Sequence, residues 1–131
     1  MGKERDRQVN ILIVDDEPAR HKLFLKRLAS GNNVVIVNSY HGAVREIQRN
    51  KKFDQVWLDY DLDQFVESEI EYGAFSKHNT GIDVAKHIAS LPEAKKPSLA
   101  IVHSLNASRA PIMLAELEAG GIPCDYQPFK Y

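Results

Sequence analysis

Three apolar runs in this chain end in residues able to bind a cation or move a proton. Asp15 and Asp16 follow VNILIV over 9–14, and Asp59, Tyr60 and Asp61 follow QVWL over 55–58. His103, Ser104 and, two residues on, Asn106 follow LAIV over 99–102. If the runs lie side by side, three or four carboxylates meet at one edge and repel one another unless a cation sits between them. Oxygen donors favour a hard octahedral ion, Mg2+ or Mn2+, which keeps several waters and can take a phosphate oxygen. Asp15, Asp16 and Asp59 are the candidate metal ligands. Asp59 is either a nucleophile forming an aspartyl phosphate or a ligand beside an attacking water. His103 is a candidate general acid or base, and Ser104 and Asn106 are candidate phosphate-binding groups. The simpler alternative is that Asp15 or Asp16 caps the next helix, Asp59 opens a turn and His103 is an ordinary hydrogen-bonded residue. That alternative explains any one of these residues more readily than the whole set.

The elements that must hold these residues alternate. Continuous apolar runs at 9–14, 34–37, 55–58 and 99–102, with a more polar one at 123–127, read as strands buried on both faces of a parallel sheet. Between them lie stretches of helical period. Asp16 is the expected cap of the first helix, with Pro18 in its first turn and Leu23, Phe24, Leu28 and Ala29 on one side. Ser39 is expected to cap a helix carrying Ala43, Val44 and Ile47, and Thr80 one carrying Val84, Ala85, Ile88 and Ala89. Ser108 opens a fourth, with Ile112, Ala115 and Leu117 inward and Gly120-Gly121 as its stop. Strand–helix alternation predicts right-handed crossovers and a doubly wound α/β sheet of five strands and four helices, with its site outside the carboxyl ends of the strands. Arg20 and His21, one turn into the first helix, could reach an anionic ligand there, although facing solvent is their default.

Composition narrows the function classes. The chain has 131 residues, 17 Lys+Arg against 18 Asp+Glu and a formal charge of −1, which suits one domain and argues against a basic nucleic-acid groove. At 44% hydrophobic and 27% charged it has the make-up of an ordinary globular domain without a separate output module. A lone Cys124 allows no internal disulfide, and no apolar run approaches the roughly 20 residues of a membrane span. The expectation is a cytoplasmic domain over 1–131, with no nucleic-acid or membrane partner. Residues 1–8 form a flexible lead-in, and 61–79 an insertion without clear period after the third strand. That insertion is expected to serve as a lid or pocket wall, or as a solvated loop with a short helix over 64–70.

ILIVDDEPARHKLFLKRL and FDQVWLDYDL, with the later strand and helix pattern, resemble the receiver domain of two-component response regulators from Val9 to Phe129. The resemblance implies a flavodoxin-like, CheY-like sheet of order 2-1-3-4-5, Mg2+ held by Asp15 and Asp16, and a phosphoryl acceptor at Asp59. It also implies a hydroxyl contact to the phosphoryl group from Ser104. The chain departs from that pattern where receivers carry Lys-Pro, because it has Gln127-Pro128. Cys124 stands in place of the usual aromatic switch residue, and no fifth helix is expected. DDEPARHKLF, LDYDL, TGIDVAKHI and VHSLN resemble a narrower group, the cyclic-phosphate processing receiver-like domains. That group typically has Leu-Asp-His-Asp-Leu where this chain has Tyr60, while His103, Ser104 and Asn106 match its second motif.

These resemblances imply a receiver-like signalling domain that binds Mg2+ and a phosphoryl group, with a phosphodonor or phosphate-containing small molecule as partner. The alternatives are a metal-dependent phosphoesterase acting on a cyclic phosphate, with His103 in acid–base work, and a degenerate receiver serving as a protein-binding module. A missing last helix exposes apolar surface beside the first helix, so a homodimer or protein partner is expected on that face, or the 61–79 segment across it. His41 and His87 read as helix-surface residues.

Overall fold

In the computed structural model the apolar runs become strands β1 (Asn10–Val14), β2 (Asn33–Val37), β3 (Gln55–Leu58), β4 (Leu99–Val102) and β5 (Cys124–Tyr126). The helices are α1 (Pro18–Leu28), α2 (Tyr40–Arg49), α3 (Gly81–Ala89) and α4 (Ala110–Ala119), with a 3-10 turn at Glu93–Lys95. The structure describes residues 8–49, 52–62 and 79–131; the expected lead-in and nearly all of the expected insertion lie outside them. All four strand pairings are parallel, in the order β2-β1-β3-β4-β5. This is the expected order, and no helix follows β5 through residue 131.

Alternate strand residues face opposite ways. Leu12, Val14, Val56, Leu58, Ala100 and Val102 pack under Ala43 and Ile47 of α2, Val84, Ala85 and Ile88 of α3, and Ala110, Met113 and Leu117 of α4. Ile11, Ile13 and Trp57 face the other way, onto Phe24 of α1 and Phe129 from beyond β5. One face thus carries three helices and the other carries one.

Several expected details are corrected. Glu17, not Asp16, is the N-cap of α1, without a side-chain cap bond; Pro18 at the first position sets the start instead. Ser108 does not cap α4. Asn106 Oδ1 accepts from the Arg109 amide at 3.2 Å and the Ser108 hydroxyl at 2.9 Å, delaying the helix to Ala110. That start fixes the buried stripe as Ala110, Met113 and Leu117, so Ile112 and Ala115 face outward. Ala29 is exposed, and His87 is half-buried near Tyr40 rather than a surface residue. Ser39 and Thr80 behave as expected: Ser39 Oγ accepts from the Gly42 amide, and Thr80 and Asp83 form a capping box. Gly120 caps α4, and Gly121, at φ 75°, makes the left-handed step that ends it.

Candidate functional site

The strand register builds the site. Val37, Val14, Leu58, Val102 and Tyr126 form the last paired row across the sheet. The ladder continues one residue further through Asp15 N–Val37 O (3.0 Å), Asp59 N–Val14 O (3.0 Å), His103 N–Leu58 O (2.9 Å) and Gln127 N–Val102 O (2.9 Å). Asp15, Asp59 and His103 therefore stand next to one another because each is the first polar residue after an apolar strand, and Gln127 follows the more polar β5 in the same row.

Asp15, Asp59 and His103 are buried, and each offers a ligand atom within 4.8 Å of the others. Asp16, half-buried, is not one of this set. The structure thus brings together two of the three expected metal ligands and adds the imidazole expected to work as acid or base. Ser104 is buried beside His103, and its Oγ accepts from the Asn106 amide at 3.0 Å, so Ser104 and Asn106 shape the turn after β4. The Tyr126 hydroxyl donates to Ser104 O at 3.0 Å.

Asp15 is saturated with donors. Its Oδ1 accepts from the Glu17 amide at 2.8 Å and Arg20 Nη2 at 2.9 Å, and its Oδ2 from Arg20 Nε at 2.7 Å and His103 Nε2 at 2.8 Å. The His21 imidazole donates to the Asp15 backbone carbonyl. Burial opposes the Asp15 charge, but the bonds from His103, Arg20 and the Glu17 amide prevail and hold its pKa at about 2. Arg20 Nη2 also reaches Asp59 Oδ2 at 3.1 Å, while Asp59 Oδ1 accepts from the Tyr60 amide at 2.9 Å. Burial first, then the negative charge of Asp15, push the Asp59 pKa up against the pull of His103 and Arg20.

Arg20 is the residue the sequence left underweighted. Its side chain is only 15% exposed and joins both carboxylates, and these pairings raise its own pKa. The usable signal was Pro18: a helix beginning there turns Arg20 back over the strand end it has just left. By contrast Gln127, in the same row, is exposed and donates to Asp125 at 3.2 Å. Lys130 is exposed, with its carbonyl held by Arg27 at 2.7 Å.

His103 also belongs to the other face. Its ring lies 4.9 Å from Phe24 and 6.5 Å from Trp57, and its Nδ1 is buried with no hydrogen-bond partner among the described residues. The recess beside it, about 500 Å3 and lined by Phe24, Trp57, His103, Tyr126 and Phe129 among others, lies alongside α1 and not over the carboxylates.

The sheet order, the buried aspartates at the ends of β1 and β3 and the hydroxyl after β4 together define a receiver-type domain. A model of the cyclic-phosphate processing receiver domain matches residues 10–119, and the chain belongs to that family. Its fold is similar to a CheY-like receiver domain from Methylobacillus flagellatus, with a TM-score of 0.66 and 17% identity over 95% of this chain and 89% of that one. It is also similar to the receiver domain of a sensor histidine kinase from Pseudomonas aeruginosa, solved with magnesium in its active-site cleft. That match has a TM-score of 0.64 and 21% identity over 95% of this chain and 88% of that one. The response regulator TrrA from Thermotoga maritima, solved with Mg2+ and beryllofluoride, matches with a TM-score of 0.65 and 18% identity over 95% and 89%. No curated protein matches the chain.

Proposed function

We propose that this domain binds Mg2+ through Asp15, Asp16 and Asp59 and accepts a phosphoryl group on Asp59. The observation that carries the reading is the pair of buried carboxylates in one strand-end row, one of them raised in pKa by burial and by the other's charge. Two such anions are a ready-made partner for a divalent cation, and the donor set fits Mg2+ or Mn2+. The magnesium in the Pseudomonas relative and the Mg2+ and beryllofluoride in TrrA point the same way. When bound, the ion would neutralise charge on the transferring group.

In the transfer, an Asp59 oxygen forms a bond to phosphorus as the bond from phosphorus to the donor's leaving oxygen breaks. The electron pair departs with the leaving group, and no proton is required when the donor is an acyl phosphate. Ser104 donates to a phosphoryl oxygen, and Asn106 fixes the turn that presents it. Incubation with acetyl phosphate and Mg2+ should give an acid-stable, base-labile adduct of one phosphoryl group, absent in Asp59→Asn. Equal labelling of the variant would refute the assignment.

A second reading has one specific observation behind it, His103 held against Asp15 in a family whose model is described as processing cyclic phosphates. A water oxygen would bond to phosphorus and give up a proton to solvent, the ring P–O bond would open, and His103 would pass a proton to the departing oxygen. Mg2+-dependent opening of 2′,3′-cyclic AMP, lost in His103→Ala, would favour it over the acceptor role. In either case the domain works in the cytoplasm on a phosphodonor or phosphorylated small molecule, and the face beside α1 serves a protein partner or a second copy. No helix among the described residues is long and apolar enough to cross a membrane.

A further inference from the structure

We infer that Arg20 is the phosphoryl-binding cation of this domain, held in reserve on Asp15 and Asp59 and released to the phosphoryl oxygens when a metal ion claims Asp15. The inference rests on the phosphoacceptor reading above and adds the residue that supplies the positive charge.

The first support is saturation. A carboxylate offers about four lone-pair sites, and Asp15 has four donors: two from Arg20, one from His103 and one from the Glu17 amide. A cation that takes Asp15 as a ligand must displace one of them. The Glu17 amide is backbone fixed by the start of α1, and the His103 ring is packed against Phe24 and Trp57. Arg20 is the donor on a long, flexible side chain, so it is the one that yields.

The second support is reach. Arg20 Nη2 is already 3.1 Å from Asp59 Oδ2, so a group bonded to Asp59 lies within the sweep of the guanidinium. Its planar fork suits the oxygens of a phosphoryl group. The third is the lack of a rival at the neighbouring strand end, where the exposed Gln127 is turned to Asp125. On the outer side the Tyr131 hydroxyl accepts from Arg20 Nη1 at 3.1 Å, a contact that keeps the stem aimed at the row.

The test uses the intact chain and Trp57, its sole tryptophan, two residues before Asp59 on the same strand. Fluorescence titrations with Mg2+ alone and with beryllofluoride in saturating Mg2+ are compared for wild type, Arg20→Met and Arg20→Lys, with folding checked by circular dichroism. Removing the competitor should tighten Mg2+ binding in Arg20→Met while weakening beryllofluoride binding about 10-fold or more, the size of a lost charge-assisted bond. Arg20→Lys should recover part of the beryllofluoride affinity. A purely structural arginine would move both affinities in the same direction, and that result, or unchanged beryllofluoride binding in Arg20→Met, overturns the inference. Wild type that binds Mg2+ but never beryllofluoride overturns the phosphoacceptor reading itself, and this inference with it.

Discussion

The two buried aspartates of the cluster sit in opposite electrostatic situations, and this sets what each contributes. Asp15 has a folded pKa of about 2 against an ordinary 3.8, because its donors outweigh its burial. Its charge therefore stabilises the fold above about pH 4, and that contribution is lost as pH falls from 3.8 through 2. It is worth about 2 kcal/mol. In metal-free buffer Asp15→Asn should lower stability by about 3 kcal/mol at pH 7, since Arg20 and His103 lose their shared anion. Its urea midpoint should also fall less between pH 5 and pH 2.5 than that of wild type. Asp59 has the reverse sign: its raised pKa means that the ionised form costs stability at neutral pH. Asp59→Asn should accordingly raise the urea midpoint in EDTA at pH 7, an advantage that shrinks on acidification as wild-type Asp59 protonates and disappears when Mg2+ is added. A variant less stable than wild type in EDTA would show that the Arg20 contact outweighs burial. Asp15, Asp59 and His103 were legible in the sequence because each is the first polar residue after an apolar run. Pro18 in the first turn put Arg20 within reach of the site but did not reveal its bridge between Asp15 and Asp59, which depends on a helix phase set from Glu17 rather than from the Asp16 cap that the pattern suggested.

Among the elements, α3 is the one most tightly joined to β3, the strand that ends at Asp59. The Gly81 amide donates to Tyr60 O at 2.9 Å, and a Cβ built on Gly81 would lie 2.0 Å from the Asp59 carbonyl oxygen and 2.7 Å from Met113 Cε. Only a glycine lets the helix start this close to the Asp59 backbone. Gly81→Ala must push α3 from the end of β3, costing about 1–3 kcal/mol, and it should also weaken beryllofluoride binding because the displaced backbone belongs to Asp59. Thr80→Ala removes half of the capping box and should cost about 1 kcal/mol while leaving that binding intact. Equal effects of both variants on binding would contradict the close-approach argument. The helix pattern and the Thr80 cap could be read from TGIDVAKHI. The contact of Gly81 with Asp59 could not, because it depends on how closely two elements distant in sequence approach. The same limit applies at α4, where the inward stripe moved to Ala110, Met113 and Leu117 once Asn106 had taken the turn.

Across the whole molecule, the two faces of the sheet are closed by different means. Three helices cover one face, whereas the other has α1 and the residues after β5, with Phe129 buried against Phe24 at a ring separation of 5.1 Å. Phe129 is tied to the site as well, since its amide donates to His103 O at 3.0 Å and Arg27 lies over its ring. The sequence announced a thinner cover on this face, from the run of elements, but not that Phe129 would pack onto it. Phe129 is one of four buried residues in the cluster on this face, with Ile11, Ile13 and Phe24. Phe129→Ala should cost about 3–5 kcal/mol, the range for deleting a buried aromatic ring, and should widen the recess that Trp57 and His103 share. Its Trp57 emission should shift to the red as water gains access. If this face also mediates self-association, the sedimentation coefficient of wild type should rise with protein concentration and that of Phe129→Ala should not. A concentration-independent wild-type monomer would leave Phe129 as cover for the core alone. Tyr131→Phe, which removes only the hydroxyl on Arg20, should change stability by less than about 1 kcal/mol. The separation between these two variants measures how far the segment after β5 covers the core and how far it merely steadies the arginine.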